Sequence, residues 1–196
     1  MAGLVERIIF DSDGVLIDSE RIVCSVDAQA FSAGYQVTCE DIIECCAGVP
    51  SETMYETLEA QLDHPLPENF DMQVEEFVIE TYRSELSTID GASEVISTLA
   101  VKKCVASSSS PAKLALGLIE AGLFELLSPQ IFSTSLMPRG KPHPDLFLLS
   151  ANITDAEPSK CAVAKDCVAG VGAARAAGMR PVGFVGGHTA EQHHEI

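Results

Sequence analysis

Two carboxylates stand two residues apart, directly after a short apolar run near the start of the chain. The run covers 7–10, and Asp11, Asp13 and Gly14 follow it. Carboxylates at this spacing on a turn can converge on one reaction centre, where one attacks as a nucleophile and the other transfers a proton. Gly14 lets the backbone turn sharply without a Cβ clash. On spacing alone, a solvated acidic turn is an equally good interpretation.

Three further groups of polar residues follow apolar runs later in the chain. They are Ser107 and Ser108 after 104–106, Lys141 in the loop beyond 130–132, and Lys165 with Asp166 after 161–164. Taken singly, a loop lysine is more often a solvated cation, and serines before a proline are typical of a helix N-cap. Taken together, these hydroxyls, cations and carboxylates suit an anionic substrate and a metal ion.

The elements that must position these groups alternate between strand and helix patterns. Strands are predicted at 7–10, 104–106, 130–132, 161–164 and 181–185, and helices at 92–99, 111–123, 144–151 and 168–179. Such alternation predicts an α/β fold with a doubly wound parallel sheet that is covered on both faces. Ligands bind such sheets at the carboxyl ends of the strands. We therefore expect the polar groups to meet at one edge.

The segment between the first two strands departs from this alternation of strands and helices. From about 19 to 87 the pattern is almost entirely helical, with breaks at Gly34, 48–50 and 64–67. This pattern predicts a catalytic core formed by 1–17 and 88–196, with an inserted all-helical cap domain at 18–87. Short linkers are expected near 16–18 and 87–91.

The composition excludes several classes of function. The 196 residues contain 12 Lys+Arg against 29 Asp+Glu, a net charge of −17. Nucleic-acid binding needs a basic surface to displace counterions, so no nucleic-acid partner is expected. No apolar run reaches the roughly 18 residues of a membrane span and no leader-like segment is evident, so we predict no membrane association and a cytoplasmic location. The seven cysteines lack metal-type spacing and are predicted to be small packing residues.

Four motifs, in order along the chain, resemble those of a known family. They are 8–20 (IIFDSDGVLIDSE), 105–108 (VASS), 140–145 (GKPHPD) and Asp166 ahead of 169–171 (AGV). Together they are similar to the haloacid dehalogenase-like superfamily, in its capped phosphatase and phosphomutase branch, over nearly the whole chain. The resemblance implies a Rossmann-like core with a helical cap. Relatives commonly continue with another strand and helix after 186–187, so either a shortened chain or a locally weakened sheet edge is expected there.

The resemblance also implies a role for each matching residue. It makes Asp11 the nucleophile that forms an aspartyl-phosphate, and Asp13 the general acid and base. Ser107 and the backbone amide of Ser108 would bind the phosphoryl group, and Lys141 would neutralise charge on Asp11 and the phosphoryl oxygens. Mg²⁺ would be held by Asp11, the main-chain carbonyl of Asp13, and Asp166, since this ion prefers oxygen ligands. In the cap, a loop around Gly48 would contact the substrate.

Lys165 departs from the family pattern. Relatives usually carry an acidic pair at this place, whereas this chain has Lys165 before Asp166. At about 4 Å and an effective dielectric constant of about 20, two unit charges repel by about 4 kcal/mol, and a divalent ion doubles that figure. We therefore expect weakened Mg²⁺ binding unless Lys165 points away or loses its proton.

The expected function is that of a Mg²⁺-dependent phosphatase that hydrolyses a small phosphorylated metabolite, a sugar or polyol phosphomonoester. A phosphomutase of the same branch is the close alternative, because the two differ mainly in how well closure excludes water. A non-catalytic binding or regulatory protein, with Lys165 in place of the cation, is a third. Asp13 argues against a dehalogenase, and the absence of lysine from 19–87 argues against a phosphonatase.

Overall fold

The structure is a computed structural model that describes residues 4–32, 55–56, 59–60, 66–134, 137 and 139–186, with the backbone alone for 28–32. Five parallel strands form one sheet in the order β3-β2-β1-β4-β5. They are β1 (Arg7–Phe10), β2 (Lys102–Ser107), β3 (Ile131–Ser133), β4 (Cys161–Lys165) and β5 (Arg180–Gly183). The predicted parallel α/β core is confirmed.

Helices connect the strands and cover the sheet. They are α1 (Glu20–Ser32), α2 (Phe70–Glu85), α3 (Ala92–Thr98), α4 (Pro111–Glu120), α5 (Phe124–Leu127), α6 (Asp145–Ile153) and α7 (Val168–Ala176), with a 3₁₀ turn at Pro158–Lys160. None of these described helices is long and apolar enough to cross a membrane.

Two apolar clusters bury the two faces of the sheet. Val105 belongs to one of them, together with Leu114 and Leu118 of α4. Cys104 and Ala106, which flank Val105, belong to the other, together with residues of α6 and α7. Adjacent residues of a strand point to opposite faces, so this division shows that helices pack on both sides.

Glycines end two helices earlier than the periodicity predicts. The helix expected over 111–123 ends at Glu120, because Gly122 has φ +68° and the chain turns there before the separate helix α5 begins. The helix expected over 168–179 ends at Ala176, and Gly178 has φ +71°. A left-handed glycine just after the last turn stops a helix, because backbone hydrogen bonds then close back on the last carbonyls.

Helices α1 and α2 are the two long described elements between β1 and β2, in the predicted cap segment. They pack on each other, and α2 also packs on α4. The predicted linkers pair with each other: the Asp18 amide donates to the Ser87 carbonyl at 2.9 Å, and the Ile89 amide donates to Leu16 at 3.0 Å. The cap boundaries at 18 and 87 stay a prediction. Gly48 lies outside the described residues.

Asp27 of α1 is a buried carboxylate within this helical segment. Its side chain is 1% exposed, and the Tyr55 hydroxyl donates to Oδ1 at 3.2 Å. Burial raises the pKa of Asp27 to about 6, although the Tyr55 hydrogen bond and the charge of Lys113 oppose the change. The folded protein therefore holds this proton more tightly than the unfolded chain does. Stability is lost as the pH rises from about 4 to about 6.

We predict that Asp27→Asn stabilises the protein at neutral pH. Asn keeps an acceptor for Tyr55 but removes the buried charge, so the free energy of unfolding at pH 7.5 should rise by about 1–3 kcal/mol. At pH 4 the gain should largely vanish. Urea denaturation of wild type, Asp27→Asn and the exposed control Asp90→Asn at both pH values measures the difference. An equal gain at both pH values would show that the charge of Asp27 is not the cause.

Candidate active site

The predicted site residues meet at the carboxyl edge of the sheet. Asp11 follows the central strand β1, Ser107 ends β2, and Lys165 ends β4. Because β2 and β4 flank β1 on opposite sides, the chain connections diverge at this point. A crevice of this kind is where α/β sheets bind ligands.

Asp11 lies at the centre of the site and is 2% exposed. Its backbone amide donates to the Ala164 carbonyl at 3.1 Å, which ties it to β4. Oδ1 of its carboxylate accepts the Ser12 amide at 2.9 Å. Oδ2 accepts Lys141 Nζ at 2.9 Å and also contacts the Lys165 ammonium. Two cations therefore neutralise this carboxylate.

Lys141 enters the site from the loop between β3 and α6. Its side chain is 7% exposed, and Nζ lies 5.6 Å from the centre of the Phe147 ring. Burial lowers the pKa of Lys141 to about 8, and the neighbouring Cys167, Asp13 and Asp166 oppose the change. The ammonium is thus buried beside the Phe147 ring and paired with Asp11, where its charge offsets that of the carboxylate.

Asp13 faces a ring of hydroxyl groups. Its Oδ1 accepts Ser19 Oγ at 2.6 Å and Tyr82 Oη at 3.5 Å, and its Oδ2 accepts Ser109 Oγ at 2.8 Å and Ser107 Oγ at 3.1 Å. Two of these donors come from the end of β2 and the loop that follows it. The other two, Ser19 and Tyr82, come from the two ends of the inserted helical segment.

Asp13 is held in its ionised form. Burial alone raises the pKa of Asp13, but the positive charge of Lys113 and the hydrogen bonds from Ser19, Ser109 and Ser107 outweigh burial, so the pKa is lowered. Burial raises the pKa of the Tyr82 hydroxyl well above its usual value, and the negative charge of Asp13 adds to the rise, so Tyr82 keeps its proton and donates a hydrogen bond to Asp13. Hydroxyl donors to a carboxylate favour the charged form in this way.

Ser107, at the end of β2, and Ser108 and Ser110, in the loop that follows, take three different positions. Ser107 is buried, and its Oγ accepts the Ser109 amide at 3.0 Å in addition to donating to Asp13. Ser108, the next residue along the chain, is exposed. Ser110 accepts the Lys113 amide at 3.3 Å and caps α4, as its place before Pro111 predicts.

Asp166 lies beside Gly14 in the turn after β1. The Asp166 carboxylate is so close that a Cβ on residue 14 would lie 1.8 Å from its Oδ2, and Gly14 itself has φ +69°. A side chain at this position would therefore be excluded both by space and by backbone conformation. The close approach places Asp166 next to the turn that carries Asp11 and Asp13.

Lys165 does not point away from the site. Its side chain is 8% exposed, its ammonium contacts Asp11 Oδ2, and Nζ lies 3.3 Å from Asp166 Oδ1. Asp11 and Asp166 are the two carboxylates assigned to Mg²⁺ by the resemblance. The Lys165 ammonium lies between them and contacts one oxygen of each, and its positive charge repels a second cation, so the residues present do not fit a divalent cation at that place.

Several site residues were not predicted from the sequence. Ser109 stands in a run of four serines, and the sequence does not show which of them contacts Asp13. Ser19 has the sequence pattern of a capping residue of the first cap helix. Tyr82 and Lys113 carry no local signal at all. Tyr82 is 69 residues from Asp13 along the chain, so only tertiary packing brings it close.

Comparison with known proteins identifies the family to which the chain is similar. The family model of haloacid dehalogenase-like hydrolases matches residues 5–178. Protein SUPPRESSOR OF QUENCHING 1, chloroplastic, of Arabidopsis thaliana is 31% identical over 91% of this chain, which spans 18% of that longer protein. The 6-phosphogluconate phosphatase of Escherichia coli is 26% identical, over 89% of this chain and 80% of its own length.

A solved structure with a ligand supports the same assignment. A family hydrolase from Deinococcus radiodurans, with bound phosphate and sodium, superposes with a TM-score of 0.75 and 31% identity, over 93% of this chain and 81% of its own. The family model covers most of the chain, and the residues of the four sequence motifs converge at the expected edge of the sheet. The chain belongs to the haloacid dehalogenase-like hydrolase family.

Proposed function

We propose that the protein hydrolyses small phosphomonoesters, of the sugar or polyol phosphate class, with Asp11 as the nucleophile. The observation that carries the proposal is the pairing at Asp11: a buried carboxylate faces a buried Lys141 ammonium at 2.9 Å. Asp13 stands two residues away in the same turn. A carboxylate nucleophile can approach a phosphate dianion only where cations offset the charge of both.

In the first step, an Asp11 carboxylate oxygen attacks phosphorus and the bond to the ester oxygen breaks. The leaving alkoxide takes a proton from Asp13, so the products are the free alcohol and an aspartyl-phosphate on Asp11. Asp13 must carry that proton when the substrate is bound. A phosphate dianion beside Asp13 raises its pKa, because like charges disfavour ionisation.

In the second step, Asp13 is ionised and accepts a proton from water as the water oxygen attacks phosphorus. The bond between Asp11 and phosphorus breaks, which restores the Asp11 carboxylate and releases inorganic phosphate. The hydroxyl donors around Asp13 hold it in the ionised form that this step needs. Ser107 and Ser108, at the end of β2, bind phosphoryl oxygens, and Lys141 neutralises them.

The choice of substrate rests on charge. Between residues 18 and 87 the chain has two arginines, Arg21 and Arg83, and no lysine. Both arginines are exposed on their helices, so the described part of the cap has few cations for a second anionic group. We infer a preference for a neutral sugar or polyol monophosphate. The predicted contact through Gly48, and a cytoplasmic location, remain part of this proposal.

Phosphate release from a substrate panel tests the proposal. Glycerol 3-phosphate, glucose 6-phosphate, 6-phosphogluconate and 4-nitrophenyl phosphate are each incubated with the full chain, in Mg²⁺ and in EDTA. We expect inorganic phosphate from the neutral sugar or polyol phosphates, with 6-phosphogluconate slower. Isomerised product or sugar bisphosphate without free phosphate would indicate a phosphomutase. No release from any substrate would favour a binding protein and overturn the proposal.

A further inference from the structure

We propose that the Lys165 ammonium takes the place of the divalent cation, so that the site binds no Mg²⁺ in the wild-type protein and Asp11 reacts without it. Metal exclusion stands on geometry alone, whereas metal-independent turnover also rests on the proposed function. In this arrangement the chain has two fixed cations at its nucleophile, Lys141 and Lys165.

The first argument is where the Lys165 side chain ends. It reaches the same oxygen of Asp11 as Lys141 does, and it also lies 3.3 Å from Asp166 Oδ1. Asp11 and Asp166 are the two carboxylates that would hold a metal ion here, and the Lys165 ammonium contacts an oxygen of each. The ammonium therefore occupies the position between the two carboxylates, where a metal ion would otherwise bind.

The second argument is that α7 leaves room for the Lys165 side chain. A Cβ on Gly170 would lie 2.2 Å from Lys165 Cγ and 2.2 Å from Cε, closer than any real contact. The methylene chain of Lys165 thus lies flat against the backbone of the first turn of this helix. The lysine is 6% exposed, so it has been folded into the site instead of extending to solvent.

The third argument is the charge balance of the site. Three carboxylates, on Asp11, Asp13 and Asp166, converge with the two ammonium groups of Lys141 and Lys165. Adding Mg²⁺ to this set would place a divalent ion within a few ångströms of two cations. Removing Lys165 would instead leave these three carboxylates with Lys141 but without the second ammonium group, and such a set favours a divalent ion.

Mg²⁺ binding in the absence of substrate is the direct test. Mg²⁺ is titrated into the full chain by calorimetry, for wild type, Lys165→Glu and Lys165→Ser. We expect no saturable binding by wild type at millimolar Mg²⁺. Both variants should bind Mg²⁺ saturably, about tenfold or more tighter than the weakest binding that the titration would detect for wild type. Lys165→Ser keeps the test valid if the added carboxylate of Lys165→Glu prevents folding. Exposed Lys102 at the start of β2 supplies a control, Lys102→Glu, with the same change of charge.

The outcome that overturns the proposal is Mg²⁺ binding by wild type within about twofold of that by the Lys165 variants. An affinity gain equal in Lys102→Glu would overturn it too, because net charge alone would then explain the effect. Binding is measured without substrate, so this result stands whether or not the protein proves to be a phosphatase.

Turnover in EDTA tests the second half of the proposal. With 4-nitrophenyl phosphate, we expect wild type to keep its rate in EDTA. Lys165→Ser should lose most of its rate in EDTA and regain part of it with Mg²⁺. A wild-type rate that EDTA abolishes and Mg²⁺ restores would overturn metal independence. Absence of turnover under every condition would instead count against the proposed function, and the calorimetry would still decide the cation site.

Discussion

Asp11→Asn is expected to lower kcat for phosphate release by about 10⁴-fold or more, the scale of losing a covalent nucleophile. An amide cannot attack phosphorus as a carboxylate does, and it leaves the paired ammonium groups of Lys141 and Lys165 without their shared anion. The measurement is steady-state phosphate release from the best substrate of the panel, with the circular dichroism spectrum as the check on folding.

Asp90→Asn is the matched control for this change. Asp90 is exposed and stands outside the site, so the same loss of a carboxylate there should leave kcat within about twofold, as for most surface substitutions. If folded Asp11→Asn kept more than about a tenth of the wild-type rate, Asp11 could not be the nucleophile. Water would then have to attack the phosphoryl group directly.

The second large effect is expected at Asp13. Asp13→Asn should lower kcat on sugar phosphates by about 10²–10⁴-fold, the usual range for a lost general acid and base. Asn keeps one acceptor oxygen for either the Ser19 or the Ser109 hydroxyl, and the other hydroxyl can rotate to accept from the Asn amide, so the variant should fold. KM should change much less than kcat, because Asn remains close in shape and the phosphate-binding groups stay in place.

Formation and hydrolysis of the aspartyl-phosphate should respond differently to the loss of Asp13, and this difference tests its role as acid and base. The leaving group of 4-nitrophenyl phosphate needs little protonation, whereas the attacking water still needs a base. Stopped-flow measurement of Asp13→Asn should therefore show a burst near one equivalent of nitrophenolate, followed by slow turnover. If turnover of both substrates fell equally without a burst, the role of Asp13 would lie in positioning. An unchanged kcat would exclude the assigned role altogether.

The core elements were predictable from the sequence because their signals are local. The run 7–10 became β1 at the predicted bounds, and the other four predicted runs overlap strands of the sheet. Helix ends were less predictable, because apolar periodicity continues past Glu120 while Gly122 turns the chain away. Backbone conformation at one glycine outweighed the pattern of side chains there.

In the site, too, some features were predictable from the sequence and others were not. That Asp11, Ser107, Lys141 and Asp166 would share one edge followed from their places after strands, since parallel strands end at the same edge. The surroundings of Asp13 did not follow, because Tyr82 comes from a distant helix and Ser109 from a run of equivalent serines. Contacts between residues far apart in sequence depend on how helices pack.

Lys165 shows what the sequence determines by itself and what only the tertiary structure determines. By itself the sequence determined the fold class, the family motifs and the fact that a cation stands where relatives carry an acid. It left open whether that cation points into the site or away from it. Only the tertiary structure decided this, because the glycine at 170 leaves room for the side chain and the carboxylates of Asp11 and Asp166 draw its ammonium inward. Side-chain direction depends on the space and charge that neighbouring elements create, and those exist only once the sheet and its helices have assembled.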